Sequence, residues 1–200
     1  MTAHFMEAIA TRRTYYAIDN QPLTSDDLIM ELVGHAVTHS PSSFNSQSAR
    51  VAVLLGDQHQ RFWDLVRDEL KQVVAPENFA ATEEKLRGSF RSGYGTLLFF
   101  EDQQVVGALQ ERFPLYRDNF PIWSNQSSGM LQYAVWTALE LEGWGASLQH
   151  YNPLVDRAVA AAWDIPATWK LIAQMPFGRP LAAPGPKEFL PLEQRITLFR

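Results

Sequence analysis

The sequence predicts a fold of the α+β or α/β class, with helices covering a central β-sheet and formed as a single domain over residues 1–200. Three observations lead there. Helix-period and strand-length segments alternate along most of the chain. Two strand-length segments, RVAVLLG at 50–56 and TLLFFE at 96–101, are nearly unbroken apolar runs, the pattern of strands covered on both faces. Finally, 200 residues of which 46% are hydrophobic suffice to bury one sizeable core.

Taken in order, the first helix is short. Phe5, Met6, Ile9 and Ala10 are its apolar positions, and Arg12-Arg13 suits its C-terminal end, where the helix dipole favours positive charge. Thr24 or Ser25 caps a second helix running to about His39, with Asp26 and Asp27 in its first turn and Leu28, Leu32, Val33 and Ala36 at a 3.6-residue period. Pro41 stops it. RVAVLLG then reads as a buried strand that Gly56 closes. Residues 57–73 and about 76–87 read as two helices, the first carrying Phe62, Leu65, Val66 and Leu70 on one face. TLLFFE is the second buried strand, and a helix follows at about 102–112. From about 125 to 142, Met130, Leu131, Ala134, Trp136, Ala138 and Leu141 make a helix apolar almost all round, as expected in a core or at a dimer interface. Gly143 ends it. WGASLQHY at 144–151 is a third strand and WKLIAQMPFG at 169–178 a fourth. The proline-spaced stretch from Arg179 to Phe199 is too apolar near its end for a free tail, and is expected to lie along something such as a second subunit.

Composition narrows the function. The formal net charge is −5 and the 17 Lys and Arg are scattered, so nucleic acid is not an expected partner. With no cysteine, disulfide frameworks, thiol redox motifs and thiolate metal sites are excluded. No metal site is expected from the five histidines, His4, His35, His39, His59 and His150. No stretch approaches a membrane span and MTAHFMEAIATRRTYYAI lacks the features of a secretion signal, so the expected location is cytoplasmic, away from any membrane.

Several familiar motifs are missing. GYGTLL at 93–98 and GWGASL at 143–148 begin like a dinucleotide fingerprint, but each lacks the third glycine and precedes a strand instead of opening a helix. There is no GxxxxGK phosphate loop and no GxSxG elbow. Three stretches remain. Arg12, Arg13 and Thr14 combine forked guanidinium donors with a hydroxyl and can grip a phosphate; alone they read more readily as a solvated helix end. SPSSFNSQ at 40–47 gathers short hydrogen-bonding groups at a strand entrance, which suits a large, flat, polar heterocycle; alone it reads equally as a helix stop and polar turn. Arg179 in FGRP is either a phosphate partner or a surface charge.

Together and in this order, the stretches resemble the FMN-dependent nitroreductase family. SPSSFNSQ is similar to its serine–asparagine–glutamine loop, RRT at 12–14 to its phosphate-binding basic motif, EGWGAS at 142–147 to its Glu-Gly-x-Gly strand entrance, and FGRP at 177–180 completes the pattern. HSPSSFNSQSARV, GYGTLLFFED, ERFPLYRDNFPIWSNQSSGMLQYAVWTALE and GASLQHYNPL resemble more closely a compact subgroup described as fatty-acid-repression or copper-induced nitroreductases. The loop departs from the family's usual Gln-Pro-Trp continuation in reading QSARV, and the long inserted helices that often shape the substrate pocket are absent.

The resemblance implies a nitroreductase-like α+β fold, a central mixed β-sheet flanked by helices with a domain-swapped C-terminal extension, and a homodimer with two composite sites. It implies FMN as cofactor, held by Arg12, Arg13, Thr14, Pro41, Ser42, Ser43, Asn45, Gln47, Gly143, Gly145 and Arg179, with the loop serving a flavin bound mainly by the neighbouring subunit. It implies no catalytic side chain, since flavin N5 carries hydride from the co-substrate NADH or NADPH to a nitroaromatic or quinone in a ping-pong scheme. A backbone N–H near Gly143 or Gly145 is the expected N5 donor. Tyr116, Trp123 and His150 are candidates for the open flavin face, or else ordinary packing and a polar contact. The alternative is an FMN-binding regulatory or stress-response protein whose reductase activity is incidental.

Overall fold

The computed structural model describes residues 2–200, with side chains from His4 onward. Among them, seven α-helices cover the two faces of a small sheet. In chain order the elements are α1 (Thr2–Thr11), β1 (Ile18–Asp19), α2 (Asp26–His39), β2 (Ala49–Leu55), α3 (Gly56–Val73), α4 (Pro76–Leu86), β3 (Gly95–Asp102), α5 (Gln103–Arg112), α6 (Phe120–Leu141), β4 (Gly145–Ala146), α7 (Asp156–Ala162) and β5 (Trp169–Pro180). The strand order is β1-β5-β3-β2, with β4 also paired to β5. Every strand ladder is antiparallel, and the expected mixed character is confined to one parallel bridge, Thr14 to Ala146.

Alternation along β3 divides the core. Leu97 and Phe99 point to one face, where Ile29 and Val33 of α2 and Leu131, Val135 and Leu139 of α6 meet them. Leu98 and Phe100 point to the other, against Phe62, Trp63 and Val66 of α3 and Val159 of α7. TLLFFE is buried throughout, as its unbroken apolar run predicts. RVAVLLG is not: six of the seven residues of β2 are only half-buried. The reason is position, because β2 is the last strand of the sheet and pairs with β3 alone. WGASLQHY forms a strand only at Gly145–Ala146, with one further bridge from Gln149 to Gln174. The helix expected at 125–142 begins five residues earlier, at Phe120, and is not apolar inside and out. Ser124, Ser127, Ser128 and Gln132 face inward, while Ile122, Met130, Tyr133 and Leu141 are exposed along one stripe.

From Leu181 onward the chain is nearly all exposed. Phe189, Leu190, Leu192, Ile196, Leu198 and Phe199 keep between 65% and 89% of their surface, an apolar tail that this single chain does not bury.

One buried polar network joins α3 to the sheet. Trp63 Nε1 donates to Thr96 Oγ1 at 2.8 Å, Thr96 Oγ1 donates to His59 Nδ1 at 2.8 Å, and His59 Nε2 donates to the Arg91 carbonyl at 3.2 Å. The carbonyl can only accept, which fixes the neutral tautomer, and burial pushes the His59 pKa down to about 4. A depressed pKa means that the unfolded chain takes up the proton first. The stability this confers is present above about pH 6.5 and lost as pH falls towards 4. His59 is therefore expected to account for up to about 3 kcal/mol of acid destabilisation. Urea unfolding at pH 7, 6 and 5 of wild type and His59→Gln measures it: the wild type should lose more stability on acidification than the variant, and parallel curves would contradict the assignment.

Candidate functional site

The chemistry-bearing stretches fall at two ends of the molecule. At one end, α2 stops at Ser40 and the chain turns through Pro41–Ser48 into β2. A 3-10 turn at Ser43–Asn45 shapes this loop, with Asn45 N–H donating to the Ser42 carbonyl at 2.9 Å and Gln47 N–H to Ser42 Oγ at 3.0 Å. Phe44, Asn45 and Gln47 have φ of 56°, 50° and 50°, a left-handed conformation costing non-glycine residues about 1–3 kcal/mol each. Such a backbone persists only where its surroundings hold it. Here Arg50 donates to the Gln47 and Ala49 carbonyls at 2.8 and 2.9 Å and pairs with Asp102 at 3.1 Å. Behind them, Glu101 accepts the Ser48 hydroxyl.

Beside the loop lies a cavity of about 240 Å³ lined by Thr38, Ser42, Gln47, Arg50, Ser127 and Leu131, among others. Asn45 and Gln47 are exposed, and their side-chain amides make no hydrogen bond among the described residues. Phe44 lies over an aromatic wall: Phe113 at 4.8 Å, Phe120 at 5.4 Å, Tyr116 at 6.2 Å and Trp123 at 6.3 Å between ring centroids, the last near-parallel at 22°. Tyr116 and Trp123 thus stand with the loop. His150 does not; it is exposed beyond β4.

At the other end stand Arg12, Arg13 and Thr14, between α1 and the C-terminal end of α6. The Arg12 guanidinium lies 4.3 Å over the Trp136 ring and 5.8 Å from that of Tyr133, which fixes its plane. Its Nε and Nη1 are buried without a partner among the described residues, as is Trp136 Nε1. Buried N–H donors without acceptors are expensive, so three at one place mark a spot that suits an anion. Glu140 organises the segment: its Oε1 accepts the Tyr15 hydroxyl at 3.0 Å and its Oε2 accepts the Arg13 N–H at 3.5 Å. Burial raises the Glu140 pKa despite these bonds and the nearby arginines. Arg13 also donates to the Gly185 carbonyl, tying down the start of the tail.

Gly143 and Gly145 have structural duties here. Gly143, with φ 85°, closes α6: its N–H donates to the Glu140 carbonyl and the Trp144 N–H to the Leu139 carbonyl, a Schellman ending. Its N–H is therefore engaged within the chain. A Cβ on Gly145 would lie 2.8 Å from Tyr15 Cβ and Cγ, so this glycine makes room for a neighbouring ring. Gly145→Ala is expected to lower stability by about 1–3 kcal/mol, measured as the shift in urea midpoint; an unchanged midpoint would contradict it. Arg179 is committed as well, gripping Asp19 through Nε and Nη2 in a bidentate pair that holds the Asp19 carboxyl below the usual range.

The two ends are well separated. Ala49 pairs with Glu101 and Phe177 with Gly95, so the loop and the glycine–arginine end stand six residues apart along β3, roughly 20 Å. Trp123 and Trp136, 13 residues apart on α6, give about the same distance. Of the residues that shape these two ends, Glu101, Glu140, Trp136 and Phe113 were not singled out from sequence as site candidates; an acid at the end of an apolar helix is the one signal that could have found Glu140.

A family model described as the nitroreductase family matches residues 9–179. The yeast protein nitroreductase FRM2 (Saccharomyces cerevisiae) is 34% identical over 192 residues, 94% of each chain. The structure of nitroreductase CinD from Lactococcus lactis in complex with 4-nitrophenol superposes with a TM-score of 0.89 at 45% identity, covering 98% of this chain and 100% of that one. A Desulfitobacterium hafniense nitroreductase with bound FMN shares the fold at 15% identity and a TM-score of 0.71, over 98% of this chain and 97% of its own.

Proposed function

Since the chain belongs to the nitroreductase family, we propose that it is an FMN-dependent oxidoreductase, working as a homodimer whose flavin sites are each built by both subunits. The observation that carries this reading is the separation just described. Donors that suit a phosphate, Arg12 Nε and Nη1, are orphaned at one end of α6, while unengaged amides that suit a polar ring edge stand about 20 Å away. Between them runs the exposed stripe Ile122, Met130, Tyr133 and Leu141. A two-fold axis beside that stripe would set one copy's loop against the other copy's arginines and bury the stripe. The apolar tail fits the same assembly as an extension wrapped over the second copy.

The residues fit the cofactor. Arg12, its plane set by Trp136, takes the phosphate, and Arg13 and Thr14 stand beside it. Ser43, Asn45 and Gln47 of the partner copy's loop supply directional bonds to the ribityl chain or ring edge. FMN held there would supply the redox chemistry by which NADH or NADPH reduces a nitroaromatic or quinone in a ping-pong scheme. Phe44, Tyr116 and Trp123 offer that acceptor a flat apolar wall. The CinD structures with 4-nitrophenol and chloramphenicol support acceptors of this class.

Purified protein is expected to be yellow, to release FMN on denaturation, and to oxidise NAD(P)H many times per flavin with a quinone or nitroaromatic acceptor. A colourless protein that ignores added FMN would contradict the reading. Tight FMN without turnover would favour the regulatory alternative.

A further inference from the structure

Glu101 is only 1% exposed, yet no cation among the described residues is bonded to it. Its Oε2 accepts two hydroxyls, Ser48 Oγ at 2.5 Å and Ser124 Oγ at 2.7 Å, and its Oε1 is buried without a partner among the described residues. The nearest guanidinium, Arg50, is occupied by the Gln47 and Ala49 carbonyls and by Asp102, and lies 5.7 Å from the Trp169 ring. For stability alone, a buried carboxyl with an idle oxygen is a poor choice beside an apolar side chain. What it provides is a tie between two elements. Ser48 is the residue at which the left-handed run of Phe44, Asn45 and Gln47 ends, and the Asp102 N–H also holds it by donating to its carbonyl at 2.9 Å. Ser124 follows Trp123, the ring stacked on Phe44. One carboxylate oxygen therefore fixes both the exit of the loop and the helix turn behind it.

We propose that Glu101 is a positioning residue for flavin binding, acting through Ser48 and Ser124 to hold the Ser42–Gln47 loop in its ligand-ready shape. The proposal rests on the FMN reading for its consequence and on contacts within this chain for its cause. Burial raises the Glu101 pKa against the opposing pull of both serines and Arg50. Glutamine preserves that work, since its carbonyl accepts both hydroxyls; leucine abolishes it.

The test pairs FMN titration, read by quenching of flavin fluorescence, with amide hydrogen exchange of flavin-free protein. Glu101→Leu is expected to raise the FMN Kd tenfold or more and to speed exchange at residues 43–48, with the β3–β5 ladder unchanged. Glu101→Gln should stay within twofold of wild type in both readouts. A leucine variant with wild-type affinity and exchange would overturn the proposal, as would a glutamine variant as impaired as leucine. Should the leucine variant not fold, Ser48→Ala decides: at least a threefold loss of affinity with faster loop exchange is expected, and no change in either overturns it. If wild type ignores FMN the functional reading fails, whereas loop exchange still decides whether the clamp exists.

Discussion

Arg12→Ala is expected to purify with little or no flavin and to bind added FMN about 10- to 150-fold more weakly than wild type. The estimate follows from a charge-assisted contact worth about 1.5–3 kcal/mol and 1.4 kcal/mol per decade of affinity. The direction follows from geometry: Nε and Nη1 are buried and have no partner among the described residues, so an incoming phosphate meets donors already desolvated and packed against the Trp136 ring. Arg179→Ala is the control. That guanidinium is half exposed and paired with Asp19, so its loss should leave FMN affinity within about threefold. Titration of flavin fluorescence measures both, with unfolding curves of flavin-free protein to show that each variant folds. Equal losses from the two variants would contradict the placement of the phosphate at Arg12.

The separation of the two ends gives this result its wider meaning. In one chain the loop serves its own aromatic wall and the arginines their own helix end. In the proposed assembly a second copy would bring them together. The cavity beside the loop, lined by Thr38, Ser42, Gln47 and Arg50, would then be one wall of a larger site whose phosphate end lies on the other subunit.

Much of this was legible in the sequence, for local reasons. Ser25 caps α2, its side chain accepting the Leu28 N–H as the acidic first turn suggested. TLLFFE is as buried as an unbroken apolar run should be. RVAVLLG carries the same pattern but sits at the sheet edge, and nothing local in seven residues tells a central strand from an edge strand. DRAVAAA of α7 went unread because it is one short alanine-rich helix without a side-chain cap. At the site, polar residues out of place were visible: RRT at a helix end and five serines before a strand. The groups that hold them were not. Glu140 meets Arg13 across 127 residues of sequence and Glu101 meets Ser48 across 53, and such contacts are made by the fold. Arg179 shows the converse, since an arginine just past a strand reads the same whether it waits for a phosphate or already grips Asp19.

The composite site is the central claim, and subunit complementation tests it most directly. Asn45→Leu removes the loop's amide and Arg12→Ala removes the phosphate donor, so each variant dimer should be inactive in NAD(P)H-dependent reduction. If the loop of one copy completes the site whose phosphate the other copy holds, a mixed dimer has one site with both defects and one with neither. With equal amounts and random exchange, about half the dimers are mixed and half of their sites intact, so roughly a quarter of wild-type activity should return. If Asn45 and Arg12 of one chain serve the same flavin, every site in the mixture keeps one defect. Recovery near zero after demonstrated exchange would contradict the account.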